Sequence, residues 1–144
     1  MKSNLFYLEE VIPTDQQINL LYEQLCKREF FISHAGDVPY DIHSQFVKRH
    51  PYRKWFLVKY SNKYIGNLYL GEDNSIGINN LDKLNTKSLK HLLDIIYANY
   101  LPLDAIASVR SGYFHINVCP DNKLLIERLQ DLNFTKFQVS FMQR

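Results

Sequence analysis

His115, Glu72 and Asp73 are the candidate proton acceptors of this 144-residue chain. Imidazole is the side chain whose charge changes closest to neutrality, so His115 is the more useful base of the three. Its alternative role is that of a hydrogen-bonded core histidine. Glu72 and Asp73 run into Asn74, a series of polar side chains that equally suits a simple chain reversal. A second constellation is Asn85-Thr86-Lys87-Ser88-Leu89, where a helical repeat begins. A helix N-terminus presents free N–H groups and a partial positive charge, and the Thr86 and Ser88 hydroxyls with the Lys87 ammonium can address phosphate oxygens. The plainer alternative is that Asn85 or Thr86 caps the helix while Lys87 and Lys90 face water.

Other chemistries find less support. His43 and His50 share a spacing of seven, but a metal site needs three or four converging ligands, so they are expected to be surface histidines and no metal is expected. Cys26 and Cys119 stand far apart with no CxxC pair, which excludes a secreted disulfide framework and points to a reducing cytoplasm. Seventeen Lys and Arg against fifteen Asp and Glu give a net charge of +2 with the signs mixed along the chain. That lacks the basic stripe needed for a nucleic-acid backbone. Ten Tyr, nine Phe and one Trp fall mostly on alternating strand positions beside aliphatic residues, as core and cleft lining would. The opening MKSNLFYLEE carries acids where a signal peptide is apolar, and no later apolar run reaches the ~18 residues of a membrane span. No nucleic-acid or membrane partner is therefore expected.

These residues depend on the elements that carry them. Leu5 to Glu9 reads as a first strand, and Thr14 with Gln17 has the spacing of a capping box opening a helix with Ile18, Leu21, Tyr22 and Leu25 on one face. Asp41 can cap a second helix that carries Ile42, Phe46 and Val47 and stops at His50-Pro51. Runs at Trp55 to Tyr60, Tyr64 to Leu70 and Ser75 to Ile78, joined by short polar turns, predict an antiparallel meander. Leu89, Leu92, Leu93, Ile96 and Tyr100 mark a helix from Thr86 to Tyr100. Phe114, Ile116 and Val118 then alternate as a strand. Pro120-Asp121-Asn122 opens a helix bearing Leu125, Leu129 and Leu132, with Asn133 as its left-handed terminator. Thr135 to Gln143 alternates Phe137, Val139 and Phe141 with polar neighbours as a closing strand. The composition is that of a folding globular chain, expected to form one domain over residues 1–144.

This order, β-α-α-β-β-β-α-β-α-β, resembles the GNAT superfamily of N-acetyltransferases along nearly the whole chain. Tyr64-Ile65-Gly66-Asn67-Leu68 is similar to the family's third strand and Ser75-Ile76-Gly77-Ile78 to its fourth. Asn117-Val118-Cys119-Pro120-Asp121-Asn122, followed by Leu132-Asn133-Phe134, is similar to its strand-Asn-helix-Gly-Phe signature, with Asn133 in place of Gly. The Ser33-His34, Pro39-Tyr40 and His50-Pro51-Tyr52-Arg53 stretches look similar to acyltransferases acting on nucleotide-linked amino sugars. The resemblance implies a mixed α/β (α+β) fold: a mostly antiparallel sheet of six or seven strands flanked by about four helices.

It also implies an activity: transfer of an acyl group, most simply acetyl from acetyl-CoA, to a primary amine of a small molecule by direct attack. Ile78, Asn79 and Asn80 would offer backbone N–H groups to the acyl carbonyl, and the pyrophosphate would lie at Asn85, Thr86, Lys87, Ser88 and Leu89, with Asn117 and Asn122 on the cofactor side. His115 or Glu72 would serve as base. Three further positions depart from the family. Lys87 and Leu89 stand where its loop has small residues, and Leu129 stands where many members have a tyrosine that protonates the departing thiolate. The alternative is accordingly a GNAT-fold binding or interaction module without catalysis. The last strand, through Phe137, Val139 and Phe141, is the candidate edge for a homodimer.

Overall fold

A two-residue reversal at Ser61-Asn62, with both residues in the left-handed region (φ 49° and 66°), joins the two longest strands of the protein. Such a turn has the twist that antiparallel neighbours require. The computed structural model describes residues 5–31 and 37–143; Ser33 and His34 lie outside them. Among the described residues the order is β1 (Phe6–Glu10), α1 (Asp15–Cys26), α2 (Tyr40–Lys48), β2 (Lys54–Tyr60), β3 (Lys63–Leu70), β4 (Ile76–Asn79), α3 (Thr86–Asn99) and α4 (Lys123–Asp131).

The four strands form one sheet in the order β1-β2-β3-β4 with every neighbour antiparallel. Period-two alternation sends Trp55 and Leu57 to one face and Phe56 and Val58 to the other. The first pair packs with Ile18 and Leu21 of α1 and Val47 of α2. The second packs with Leu68, Leu70 and Ile76, the α3 residues Leu89, Leu92, Leu93 and Ile96, and the α4 residues Leu125 and Leu129. Helices thus cover both faces of the sheet.

Helix ends follow local chemistry. Thr14 Oγ1 accepts from Gln17 N at 3.2 Å, and Asn85 Oδ1 accepts from Ser88 N at 2.8 Å. The second helix begins at Tyr40, one residue before the expected cap Asp41, because Pro39 sets an extended entry (φ −61°, ψ 149°). At the end of α4 the chain turns through Asn133 (φ 69°). Asn133 N–H donates to Gln130 O and Phe134 N–H to Leu129 O, both at 2.9 Å, the paired bonds of a left-handed helix stop.

Among the described residues the expectation of six or seven strands is corrected to four. Phe114, Ile116 and Val118 do pack against the core, but this stretch meets β4 only at the parallel bridge of Ser75 with His115 and then splays away. Residues 135–143 join no sheet among the described residues. Alternation reports which side chains share a face; a strand also needs a neighbouring backbone, and neither stretch has one along its length. No helix among the described residues is long and apolar enough to cross a membrane.

Candidate active site

The splay beside β4 opens a cleft. Ile76 N–H donates to His115 O at 2.8 Å, and His115 N–H donates to Asn74 O at 3.1 Å; beyond this the two backbones separate. Successive residues of a strand turn their peptide groups to opposite sides, so Ile78 presents its N–H to the same open edge as Ile76, whereas Gly77 and Asn79 face β3. The cleft is lined by Ile78, Asn79, Asn80, Asn117, Cys119 and Asn122, together with Asp82 and Arg28.

Two glycines of β3 and β4 shape this wall by close approach. A Cβ at position 77 would fall within the Tyr69 ring, and one at position 66 would meet Asn79 O and the Leu81 side chain. Tyr69 therefore lies flat across Gly77 and stacks on Tyr52, with ring centroids 3.9 Å apart and planes 8° apart. Beneath them runs a polar chain. Trp55 Nε1 donates to Asn67 Oδ1 (3.0 Å), Asn79 Nδ2 donates to the same oxygen (3.0 Å), and Asn67 Nδ2 donates to Gln24 Oε1 (2.7 Å). Asn80, in the left-handed region (φ 62°), donates through Nδ2 to Gln24 O at 2.9 Å, and its Oδ1 is buried without a partner among the described residues. An orphaned buried acceptor at a cleft wall is a place for a ligand donor or a water.

Of the residues singled out at the helix start, the structure separates those that cap the helix from those that do not. Asn85 spends its side chain on Ser88 N–H and its carbonyl on Leu89 N–H (2.9 Å), and Leu89 itself is buried in the core. That leaves the Thr86 and Lys87 N–H groups with the Thr86, Lys87 and Ser88 side chains for an anion. Asn122 is buried, accepts from Leu125 N (3.3 Å) and donates to Asp82 Oδ1 (2.6 Å). Arg128 Nη1 donates to Asp82 O at 2.7 Å and also to Leu84 O. These bonds tie the loop that opens α3 to the first turns of α4, and they employ both ends of the Asn122 amide.

His115, whose backbone pairs with the chain just before β4, is not among the residues that line the cleft; its Nδ1 is buried with no partner among the described residues, and its ring meets Phe137 edge to face (centroids 6.1 Å apart). Glu72 lies exposed in the β3–β4 turn, where its carbonyl accepts from Arg110 Nη1 (3.1 Å), away from the cleft lining. Asp73 accepts from Ser75 Oγ (2.6 Å) and Ser75 N (2.9 Å). Burial pushes its carboxyl up, but the Ser75 bonds together with the nearby His115 outweigh that and hold it below the usual range. A carboxylate so satisfied is a poor base. Leu129 is buried in the core.

Sequence reading passed over Arg28, Glu29 and Phe30, the residues after α1 that complete the cleft. The Arg28 guanidinium lies over the Phe31 ring at 5.0 Å and has no hydrogen-bond acceptor among the described residues. Burial lowers its pKa, against the pull of Tyr52, Tyr69 and Asp82. The available signal was a cation followed by two aromatics in a stretch without period. Among the described residues no group of three or more His, Cys, Asp or Glu could hold a metal.

No family model matches the chain, and no curated protein matches it in sequence. Among solved structures it is similar to the Campylobacter jejuni N-acetyltransferase PseH, solved in complex with acetyl coenzyme A. The identity is 16%, with 94% of this chain and 92% of that one covered and a TM-score of 0.58. The likeness is one of fold, and it agrees with the mixed α/β arrangement that the GNAT resemblance implied.

Proposed function

We propose that this chain is an acyl-CoA-dependent N-acyltransferase, transferring acetyl from acetyl-CoA to a primary amine of a small molecule. The observation that carries the reading is the open edge of β4, where Ile78 N–H faces a cleft bounded by Asn117 and Cys119 on a fold shared with an acetyl-CoA-bound N-acetyltransferase. A strand N–H at such an edge is a preorganised donor for an acyl oxygen, and it gains most as negative charge develops there.

The thioester supplies an activated acyl group. The chain's own residues bind, orient and move protons. Thr86 and Lys87, at the start of α3, meet the pyrophosphate with two backbone N–H groups, a hydroxyl and an ammonium. The missing glycines are thereby offset in part, since this contact needs only the first two amides of the helix. The attacking amine forms the new C–N bond as the C–S bond breaks. Its proton passes to His115 directly or through water, and the departing thiolate is protonated from solvent, Leu129 offering no acid.

Arg28 gives the acceptor side its character. A half-buried guanidinium that has no acceptor among the described residues and lies beside a tyrosine stack favours an acceptor that carries an anionic group next to a planar one. A nucleotide-linked amino sugar fits that description.

Titration of acetyl-CoA into the purified protein by isothermal calorimetry, with desulfo-CoA and ADP as controls, tests the reading. Binding in the micromolar range with release of free thiol in the presence of an amine supports it. No binding up to millimolar acetyl-CoA overturns it and leaves a GNAT-fold module without catalysis.

A further inference from the structure

Asn80 stands where the chain leaves β4, and it lines the cleft together with Ile78 and Arg28. Its amide has one workable orientation. Nδ2 donates to Gln24 O at 2.9 Å, and the flipped amide would set its own oxygen against that carbonyl. Oδ1 is therefore the end left buried with no donor among the described residues. The neighbouring amides are already employed, Asn79 Nδ2 on Asn67 Oδ1 and Asn122 Nδ2 on Asp82 Oδ1. Leaving such an oxygen alone costs about 1–3 kcal/mol, a cost that a bound N–H donor removes.

We infer, on the N-acyltransferase reading proposed above, that Asn80 Oδ1 accepts a hydrogen bond from the attacking amine and so turns the amine's lone pair toward the acyl carbon. A neutral primary amine has two N–H donors and one lone pair. A fixed acceptor that takes one N–H leaves the lone pair free to attack, whereas a donor at this place would occupy it. The second N–H remains for the base. A secondary amine has a single N–H to serve both, so this contact selects primary amines.

The spacing is in keeping. Asn80 lies two residues beyond Ile78, about 6–7 Å of extended chain. An acyl oxygen about 2.9 Å from Ile78 N, a carbonyl bond of about 1.2 Å, an attack distance of about 3–3.5 Å and a second hydrogen bond of about 2.9 Å cover that gap along a bent path. Arg28, which lines the same cleft and has no acceptor among the described residues, takes an anionic group of the same molecule. The acceptor is thus a primary amine with an anionic group close by.

Asn80→Gly and Asn80→Asp test this. Glycine keeps the left-handed turn (φ 62°) and the backbone N–H while removing the amide. Aspartate tolerates the same turn and keeps an oxygen acceptor, but it loses the donor to Gln24 O. Each is compared with the parent in acetyl-CoA binding by calorimetry and in acetyl transfer to phosphoethanolamine, phosphorylated glucosamine and their N-methyl counterparts. Asn80→Gly should lower kcat/KM for the primary amines by about 10- to 100-fold, leave acetyl-CoA binding within about twofold and shrink the preference over N-methyl amines. Asn80→Asp should stay within about fivefold of the parent. Equal losses in the two variants, or a glycine variant that keeps the preference, overturn the inference. If the glycine variant fails to fold, the aspartate variant decides: retained transfer assigns the role to the oxygen, and lost transfer assigns it to the Gln24 bond. A parent that binds no acetyl-CoA ends the N-acyltransferase reading itself. A parent that binds it but acetylates none of these amines ends this inference alone.

Discussion

Asn122 Nδ2 lies 2.6 Å from Asp82 Oδ1, joining the residue that caps α4 to the loop that opens α3. This amide, together with the Arg128 bonds to Asp82 O and Leu84 O, fixes the two helix starts to one another. Asn122→Ala removes the cap and leaves a half-buried carboxylate without its donor. The expected loss is about 2–3 kcal/mol in urea unfolding, the sum of a cap and a charge-assisted bond. Acetyl-CoA binding should weaken with it. Asp82→Asn retains the shape and should cost less than Asn122→Ala.

Gly77 is where Tyr69 crosses β4. Gly77→Ala should destabilise the protein by about 1–3 kcal/mol through overpacking. In a Tyr69→Ala background the same change should cost little, since the ring it strikes is gone. A double-mutant cycle by thermal or urea unfolding measures the coupling, and additive losses would contradict the geometry.

Glu9 accepts from Gln17 Nε2 (3.0 Å) and from the Tyr64 hydroxyl (2.8 Å), with Lys59 Nζ at 3.8 Å. The Gln17 bond first, then Tyr64 and Lys59, outweigh burial and hold its carboxyl below the ordinary value. In acid the unfolded chain takes up the proton first. Stability from this group is therefore complete above the usual carboxylate pKa of ~4.3 and is lost as pH falls through the lower folded value. Glu9→Gln should flatten the acid limb of the unfolding free energy by about 0.5–1 kcal/mol, the group being partly solvated.

His115 and Glu72 differ in burial, the first being half-buried and the second exposed. His115→Ala should lower kcat by about 100-fold or more while acetyl-CoA binding in calorimetry is unchanged, as loss of a general base requires. Glu72→Ala, in an exposed turn, should leave kcat within about twofold. Equal losses in the two would place the base elsewhere.

Arg28→Ala should raise KM for an anionic acceptor by about 10- to 100-fold, the worth of one or two charge-assisted bonds, with little change in KM for acetyl-CoA. An uncharged amine acceptor should not discriminate between the two proteins. Steady-state kinetics with paired acceptors reads both.

Much of this architecture was legible in residue order. The β2-β3-β4 meander follows from short polar turns, α3 from its leucine spacing, and the α1 cap from Thr14, although the Gln17 side chain bonds Ile12 N, Glu9 and Glu10 O instead of closing a capping box. Asn133 signalled the left-handed stop. The fourth-strand edge was legible in Ile76-Gly77-Ile78, although only coordinates say that Ile78, and not Asn79, turns its N–H to the cleft. What stayed hidden was pairing at a distance. Phe114 to Val118 and Phe137 to Phe141 alternate as strands do, yet alternation carries no information about whether a backbone lies alongside. Arg28 stayed hidden for a related reason: a cation just past a helix is ordinary, and only its convergence with β4 and residues 117–119 makes it part of a site.

The single tryptophan of the chain has a practical consequence. Trp55 is buried, and its indole N–H is held by Asn67, which is itself held by Gln24 four residues before Arg28. Its emission colour therefore senses whether the end of α1 is seated on the sheet. A red shift preceding the loss of far-ultraviolet dichroism would signal that the acceptor side of the cleft loosens before the domain melts. A ligand that engages Arg28 should delay that shift, so an acceptor library can be screened by light alone, before any acyl donor is added.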